Sequence, residues 1–184
     1  MPKHLTISEL KKELKIMNVS ELNELILDLY KSSNQVKEIL SSKFMGEVYL
    51  EEVLNTYKRK MLDEMYPRGY RTPSLKNGKS LINDFKKFGD TGSILDLMLY
   101  CVELGIRYIV DYGMMNQAFY DGLCRVYGEF IDWYNHERTE DLYYKLNSRV
   151  ESLLSITCDI GWGLGEYFID VSGDFFREDE DDEA

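Results

Sequence analysis

Residues that build chemical sites are scarce in this sequence, which has three cysteines, two histidines, two tryptophans and three prolines among 184 residues. Cys101, Cys124 and Cys158 are odd in number and form no C-x-x-C pair. That excludes a disulfide framework and a cysteine zinc site, and leaves three small buried hydrophobes as the expectation. Of the two histidines, His4 lies near the start and His136 near the end of a predicted helix. Asp132 and His136 stand four residues apart, but two ligands fall short of the E-x-x-H pairs of di-iron bundles. A histidine in that place is explained by the helix dipole alone, so no metal and no cofactor are expected. Long apolar runs are missing too. The most apolar stretch, Ile94 to Tyr112, is broken by Asp96, Glu103, Arg107 and Asp111, and a membrane helix needs about 18 uninterrupted apolar residues. The opening MPKHLTISELKKELK has no apolar h-region, so a cytoplasmic location is expected.

Strand signals are also lacking, because no segment alternates apolar and polar residues between turn formers. Helix signals run the length of the chain. Thr6 with Glu9, and Asn18 with Glu21, have the spacing of capping boxes and predict two successive helix starts. Leu22, Leu25, Ile26, Leu29 and Tyr30 then share one helical face, and Val36, Ile39, Leu40 and Phe44 start another, capped by Ser33 or Asn34. The period persists from Glu47 to Met65 through Leu50, Val53, Leu54, Tyr57 and Met61. YPRGYRTPSLKNG, residues 66–78, holds two of the three prolines and is predicted as a long loop and a hinge. A short helix around Leu81 to Phe88 follows, stopped by Gly89. The next, about 94–112 and capped by Ser93, is apolar around most of its circumference and is predicted to be the central element. Three more follow: Phe119 to Tyr134, Leu142 to Thr157, and Ile160 to Val171.

Charge is distributed unevenly. Residues 1–90 carry 16 Lys/Arg against 13 Asp/Glu, a net +3, whereas residues 91–184 carry 6 against 20, a net −14. The run from Glu178 to Glu183 is six like charges, which predicts a disordered acidic tail over 178–184. Residues 58–87 hold nine Lys/Arg against Asp63, Glu64 and Asp84, a local +6 that begins with Lys58, Arg59 and Lys60 and includes Arg68 and Arg71. Such a patch suits phosphates or an acidic partner, but the acidic half of the same chain can neutralise it, and a net charge of −11 opposes unspecific nucleic-acid binding.

Two further groupings could carry chemistry. Gly161-Trp162-Gly163-Leu164-Gly165 suggests an anion loop, yet it has neither the preceding strand and G-x-G-x-x-G spacing of a dinucleotide site nor the Lys-Ser/Thr of a phosphate loop. Close helix packing is the expectation there. Asp96, Glu103, Arg107 and Asp111 fall within roughly 80° on one helix, forming a single polar stripe. Glu103 and Asp111 each stand four residues from Arg107, so ion pairing accounts for the stripe, and a cleft with perturbed carboxylates is the rival reading. No nucleophile and base pair completes a catalytic set.

Leu5 to Leu14 resembles the L-x-x-x-E-L-K-x-x-L start of a SAP-type DNA-binding helix pair, but Asn18, Ser20, Glu21 and Glu24 stand where that family has a glycine and a basic helix. A broader resemblance rests on S-E-L-x-E-L-I-L-x-L-Y at Ser20 to Tyr30 and V-K-E-x-L at Val36 to Leu40. It continues with K-x-K-x-x-x-E-x-Y-P at Lys58 to Pro67, D-L-M-L-Y at Asp96 to Tyr100, and a G-I-G-W-like element at Asp159 to Trp162. Over about residues 5 to 170 the chain resembles domain-of-unknown-function family 6155. That resemblance implies a bacterial helical protein and brings no catalytic residue with it.

Together these features predict an all-α fold of seven to eight short amphipathic helices in an irregular bundle, with HEAT-like stacked pairs as one form of it. A single helical domain over residues 1–177 is expected. The expected function is a non-enzymatic protein–protein interaction module of a bacterial cytoplasm with a protein partner. An enzyme or ligand-binding protein using a pocket beside helix 94–112 is the alternative, and a nucleic-acid-associated protein using residues 58–87 the second.

Overall fold

The computed structural model describes residues 4–69, 71–113, 116–161, 163–173 and 175–176. Among them are nine helices and no strand. The count exceeds the expected seven to eight, although each of the nine overlaps a segment marked in the sequence by a cap or an apolar period. The acidic run 178–184 lies outside the described residues, as does Trp162. By its contacts the chain divides into two compact units, 1–47 and 48–184.

The first unit holds α1 (Ile7–Ile16), α2 (Val19–Ser32) and α3 (Asn34–Met45). Both expected capping boxes form. Thr6 Oγ1 accepts from the Glu9 amide at 3.3 Å while Glu9 accepts from the Thr6 amide at 2.8 Å. The bond from the Thr6 amide, with a second that the Thr6 hydroxyl donates to the Glu9 carboxylate at 2.8 Å, holds that carboxyl below its usual range. Asn18 and Glu21 exchange the same pair of bonds at 3.0 and 2.8 Å, and Ser33 caps α3 through the Val36 amide at 3.4 Å. Capping fixes where these helices begin, and α2 packs against α3. None of the three helices contains a buried residue.

The second unit follows, with α4 (Glu47–Met65), α5 (Leu75–Phe85), α6 (Thr91–Tyr112), α7 (Gln117–His136), α8 (Glu140–Thr157) and α9 (Leu164–Ser172). Helix α6 is its axis: thirteen of its 22 residues are buried, and it packs against α5, α7 and α8. Its N-cap is Asp90 rather than the expected Ser93, because the Asp90 carboxylate accepts from the Ser93 amide at 2.7 Å and so starts the helix at Thr91. Gly113, at φ 92°, ends it. Aromatic rings fill the space between α7 and α9. Tyr127 stacks on Phe168 at 4.0 Å, and its hydroxyl shares a 2.5 Å hydrogen bond with Ser172.

The loop predicted over 66–78 is shorter than expected. Ser74 caps α5 through the Asn77 amide at 3.3 Å, so Leu75 to Gly78 already belong to the helix. Gly78 is buried there. A Cβ on it would meet Met65 Sδ at 2.9 Å and Cys101 Sγ at 3.2 Å, so its missing side chain is what lets α5 approach α4 and α6. What remains of the loop is tied back to α4: the Ser74 amide bonds the Glu64 carbonyl at 2.8 Å, and Arg71 bonds the Asp63 carbonyl at 2.9 Å.

Candidate functional site

Asp96 and Glu103 lie seven residues apart on α6, two helical turns along one face. Facing them are Lys58 from α4 and Arg149 from α8. The Arg149 guanidinium grips Glu103 with two parallel bonds, Nε to Oε1 at 2.8 Å and Nη2 to Oε2 at 2.7 Å. Its Nη1 reaches Asp96 Oδ1 at 2.6 Å. Lys58 Nζ lies 2.8 Å from each Asp96 oxygen and 5.6 Å from the Tyr100 ring centre. The Asp96 side chain is only 8% exposed. Burial pushes its carboxyl up, but the bonds and charges of Lys58 and Arg149 outweigh that and hold it below the ordinary range. For Arg149, burial acts to lower the pKa while Glu103 and Asp96 raise it, with a net upward result. The half-buried Tyr100 phenol is pushed up, first by burial and then by the Glu103 charge.

Two cations and two carboxylates thus neutralise one another across three helices. Such a set binds α4, α6 and α8 together and presents no unsatisfied charge to a ligand.

The predicted stripe therefore divides. Glu103 pairs with Arg149, whose fork reaches across from α8 to both its oxygens, and not with Arg107 one turn along its own helix. Arg107 is 66% exposed and lies 3.6 Å from Asp111. Asp111 accepts a 2.6 Å bond from the Tyr66 hydroxyl, which raises the Tyr66 phenol to about 12, with burial adding to it. The Arg107 guanidinium stands 5.0 Å over the Tyr66 ring, beside Tyr108 and Tyr112. Arg149 was missed by sequence reasoning. Its signal was its place beside Leu146, Val150 and Leu153, on the arc that α8 turns inward.

The basic residues do not converge. Lys58 turns inward to Asp96, Arg59 bonds Thr56 Oγ1 at 3.0 Å, and Lys60 lies 4.9 Å over the Tyr57 ring. Arg71 serves the loop, and Arg68 is exposed. Successive helical residues point about 100° apart, so three neighbouring cations on α4 cannot form one patch.

At the glycine run, Gly163 adopts φ 71° and precedes α9. A Cβ on Gly165 would meet the Thr157 carbonyl at 2.7 Å, so α8 and α9 pack through this glycine. A cleft of about 320 Å³ beside it is lined by Asp159 and Glu166 as well as glycines, and two carboxylates repel an anion. His4, Asp132 and His136 are all exposed. Among the described residues, no three His, Cys, Asp or Glu side chains gather as metal ligands would. Of the cysteines, only Cys101 is fully buried, and burial pushes its thiol up to about 12. Cys124 is half-buried and Cys158 is exposed at the end of α8, where the chain turns toward α9, so the expectation of three buried cysteines holds for one.

The first unit presents a different surface. Between α2 and α3 runs a groove of about 340 Å³ lined by Ile26, Leu27, Tyr30, Leu40, Phe44 and Met45, with Ser41 and the Tyr30 phenol supplying its hydroxyls. Phe44 is 78% exposed and Leu27 55%. The amphipathic period identified these faces, but periodicity reports that a face is apolar and not whether anything covers it.

These observations define an all-helical protein whose clustered charges are satisfied internally and whose N-terminal helices leave an apolar groove open. The chain belongs to a family of unknown function, DUF6155, whose model matches residues 5–175. No curated protein and no solved structure matches it. Among the described residues no helix is long and apolar enough to cross a membrane.

Proposed function

We propose that this chain is a non-enzymatic protein–protein interaction module, acting in a bacterial cytoplasm, whose docking element is the α2–α3 groove. The observation that carries this reading is the exposure of that groove. An open apolar surface of this kind marks a site that another protein covers, and its helical walls suit an apolar helix laid between them. The rival pocket beside α6 has less support, because Asp96 and Glu103 are engaged by Lys58 and Arg149. Nucleic-acid binding by residues 58–87 has less support as well, since Lys58, Arg59, Lys60 and Arg71 are each engaged by groups of the chain itself. As scaffold, the second unit reads as an irregular bundle. A HEAT-like stack, in which each element meets only its neighbours, fits less well with α6 touching α5, α7 and α8.

The test is crosslinking in cells with photoreactive residues placed at Leu27 and Phe44, and at the exposed Glu151 on α8 as control. Protein adducts are expected at 27 and 44, absent at 151, and lost when Ile26→Asp puts a charge in the groove. Absence of adducts at both groove positions, or adducts indifferent to Ile26→Asp, would overturn the reading.

A further inference from the structure

We infer that the occupant of the α2–α3 groove is the same groove of a second copy of this chain, the two hairpins closing into a four-helix bundle. This rests on the docking role of the groove and names its partner.

Residues 1–47 form a compact unit in which α1, α2 and α3 bury no residue. A helical layer with an apolar face needs a second layer, and an isologous pairing supplies one of matching width and length. Charge then selects among partners. Residues 1–47 carry seven Lys and seven Asp/Glu, whereas residues 48–184 carry 15 Lys/Arg against 26 Asp/Glu. The first unit is thus the part of the chain that two copies bring together without net repulsion. A twofold contact also demands that one surface complement itself. Helix α2 offers Glu21, Glu24 and Asp28 against Lys31, a net −2, and α3 offers Lys37 and Lys43 against Glu38, a net +1. In a twofold bundle whose axis runs along the helices, each α2 lies beside the α3 of its partner as well as its own, so the helix of net negative charge in each copy meets the helix of net positive charge in the other. Opposite net charges on neighbouring helices favour that arrangement over one that sets α2 against α2.

Sedimentation of the full chain tests this. Twice the chain mass is expected at micromolar concentration, returning to the single mass on dilution, and Leu27→Asp with Phe44→Glu should give the single mass throughout. Those two side chains are exposed, so the fold of each copy survives the change. Charge reversal gives a second arm. One variant carries Lys37→Glu and Lys43→Glu; another carries Glu24→Lys and Asp28→Lys, which spare the capping Glu21. Each alone should stay single, because its α2 and α3 then share a sign, and the two mixed should form a mixed pair. A wild type that stays single at every concentration overturns the inference, as does a pair indifferent to the Leu27 and Phe44 changes or reversed variants that each pair with themselves. If the wild type is single while crosslinkers at 27 and 44 trap a different protein, the self-pairing fails and the docking role stands. Absence of any adduct removes both.

Discussion

At the scale of residues, Arg149 and Arg107 are two arginines near the same helix with opposite expected importance. Removing Arg149 leaves Asp96, almost wholly enclosed, with Lys58 alone, and Glu103 without its fork. Breaking a buried pair from one side costs about 3 to 5 kcal/mol, and the partial exposure of Arg149 and Glu103 reduces that to roughly 2 to 4 kcal/mol for Arg149→Ala. Arg107→Ala should change stability by no more than about 1 kcal/mol, the range of exposed pairs. Urea melts of both variants check the order, and equal losses would contradict it. Asp96 adds a pH signature. Its folded pKa lies below the ordinary 3.8, so its stabilisation is complete above about pH 4 and is lost as pH falls through the lower folded value. Asp96→Asn should therefore flatten the acid limb of stability, and an unchanged limb would assign that limb to other carboxylates. The sequence made half of this cluster legible. Period alone places Asp96 and Glu103 on one face, but their partner stands 46 residues beyond Glu103 and 53 beyond Asp96. Helical periodicity orders residues within one helix and is silent about which distant helix arrives opposite.

At the scale of elements, what was legible follows the range of the interactions. Capping boxes at Thr6 and Asn18 are complete within four residues, and both form as read. The start of α5 was placed late because proline and glycine dominate residues 66–78, while the deciding feature is Ser74 accepting from Asn77. Gly78 looked like a loop residue for the same reason, yet it is a packing residue, a role set by the distant Met65 and Cys101. Glycine substitutions separate two kinds of close approach. A methyl at Gly165 meets the carbonyl of Thr157, which is fixed in the backbone, whereas at Gly78 it meets the flexible end of Met65. Gly165→Ala should cost about 1 to 3 kcal/mol from overpacking. Gly78→Ala should cost less, since Met65 can yield and alanine favours the helix by up to about 1 kcal/mol. For α6, Leu99→Ala should cost about 2 to 5 kcal/mol, as expected of a fully enclosed leucine. Thermal melts of the three variants give the ranking, and a Gly78→Ala loss exceeding that of Gly165→Ala would show that α5 is the less yielding contact.

At the scale of the whole chain, composition and period sufficed for an all-helical protein, because every segment carries the same 3.6-residue signal. They did not show how burial is shared out. The apolar faces of α2 and α3 read like those of α4 and α7, yet every buried hydrophobic residue among the described ones lies between Leu50 and Phe175. Removing residues 1–46 therefore takes no core side chain away. The remaining chain, 47–184, is expected to unfold cooperatively with a midpoint within a few degrees of the full chain, since about 1 kcal/mol shifts a domain of this size by roughly 2 to 8 °C. It is also expected to sediment as a single chain, because the α2–α3 face has gone with the deletion. Calorimetry and sedimentation on the same sample separate the two contributions. A midpoint lower by ten degrees or more, or loss of a cooperative transition, would mean that the first unit stabilises the second. Persistent pairing of 47–184 would instead move the self-association surface out of the N-terminal helices, and the neutral charge of residues 1–47 would then need another explanation.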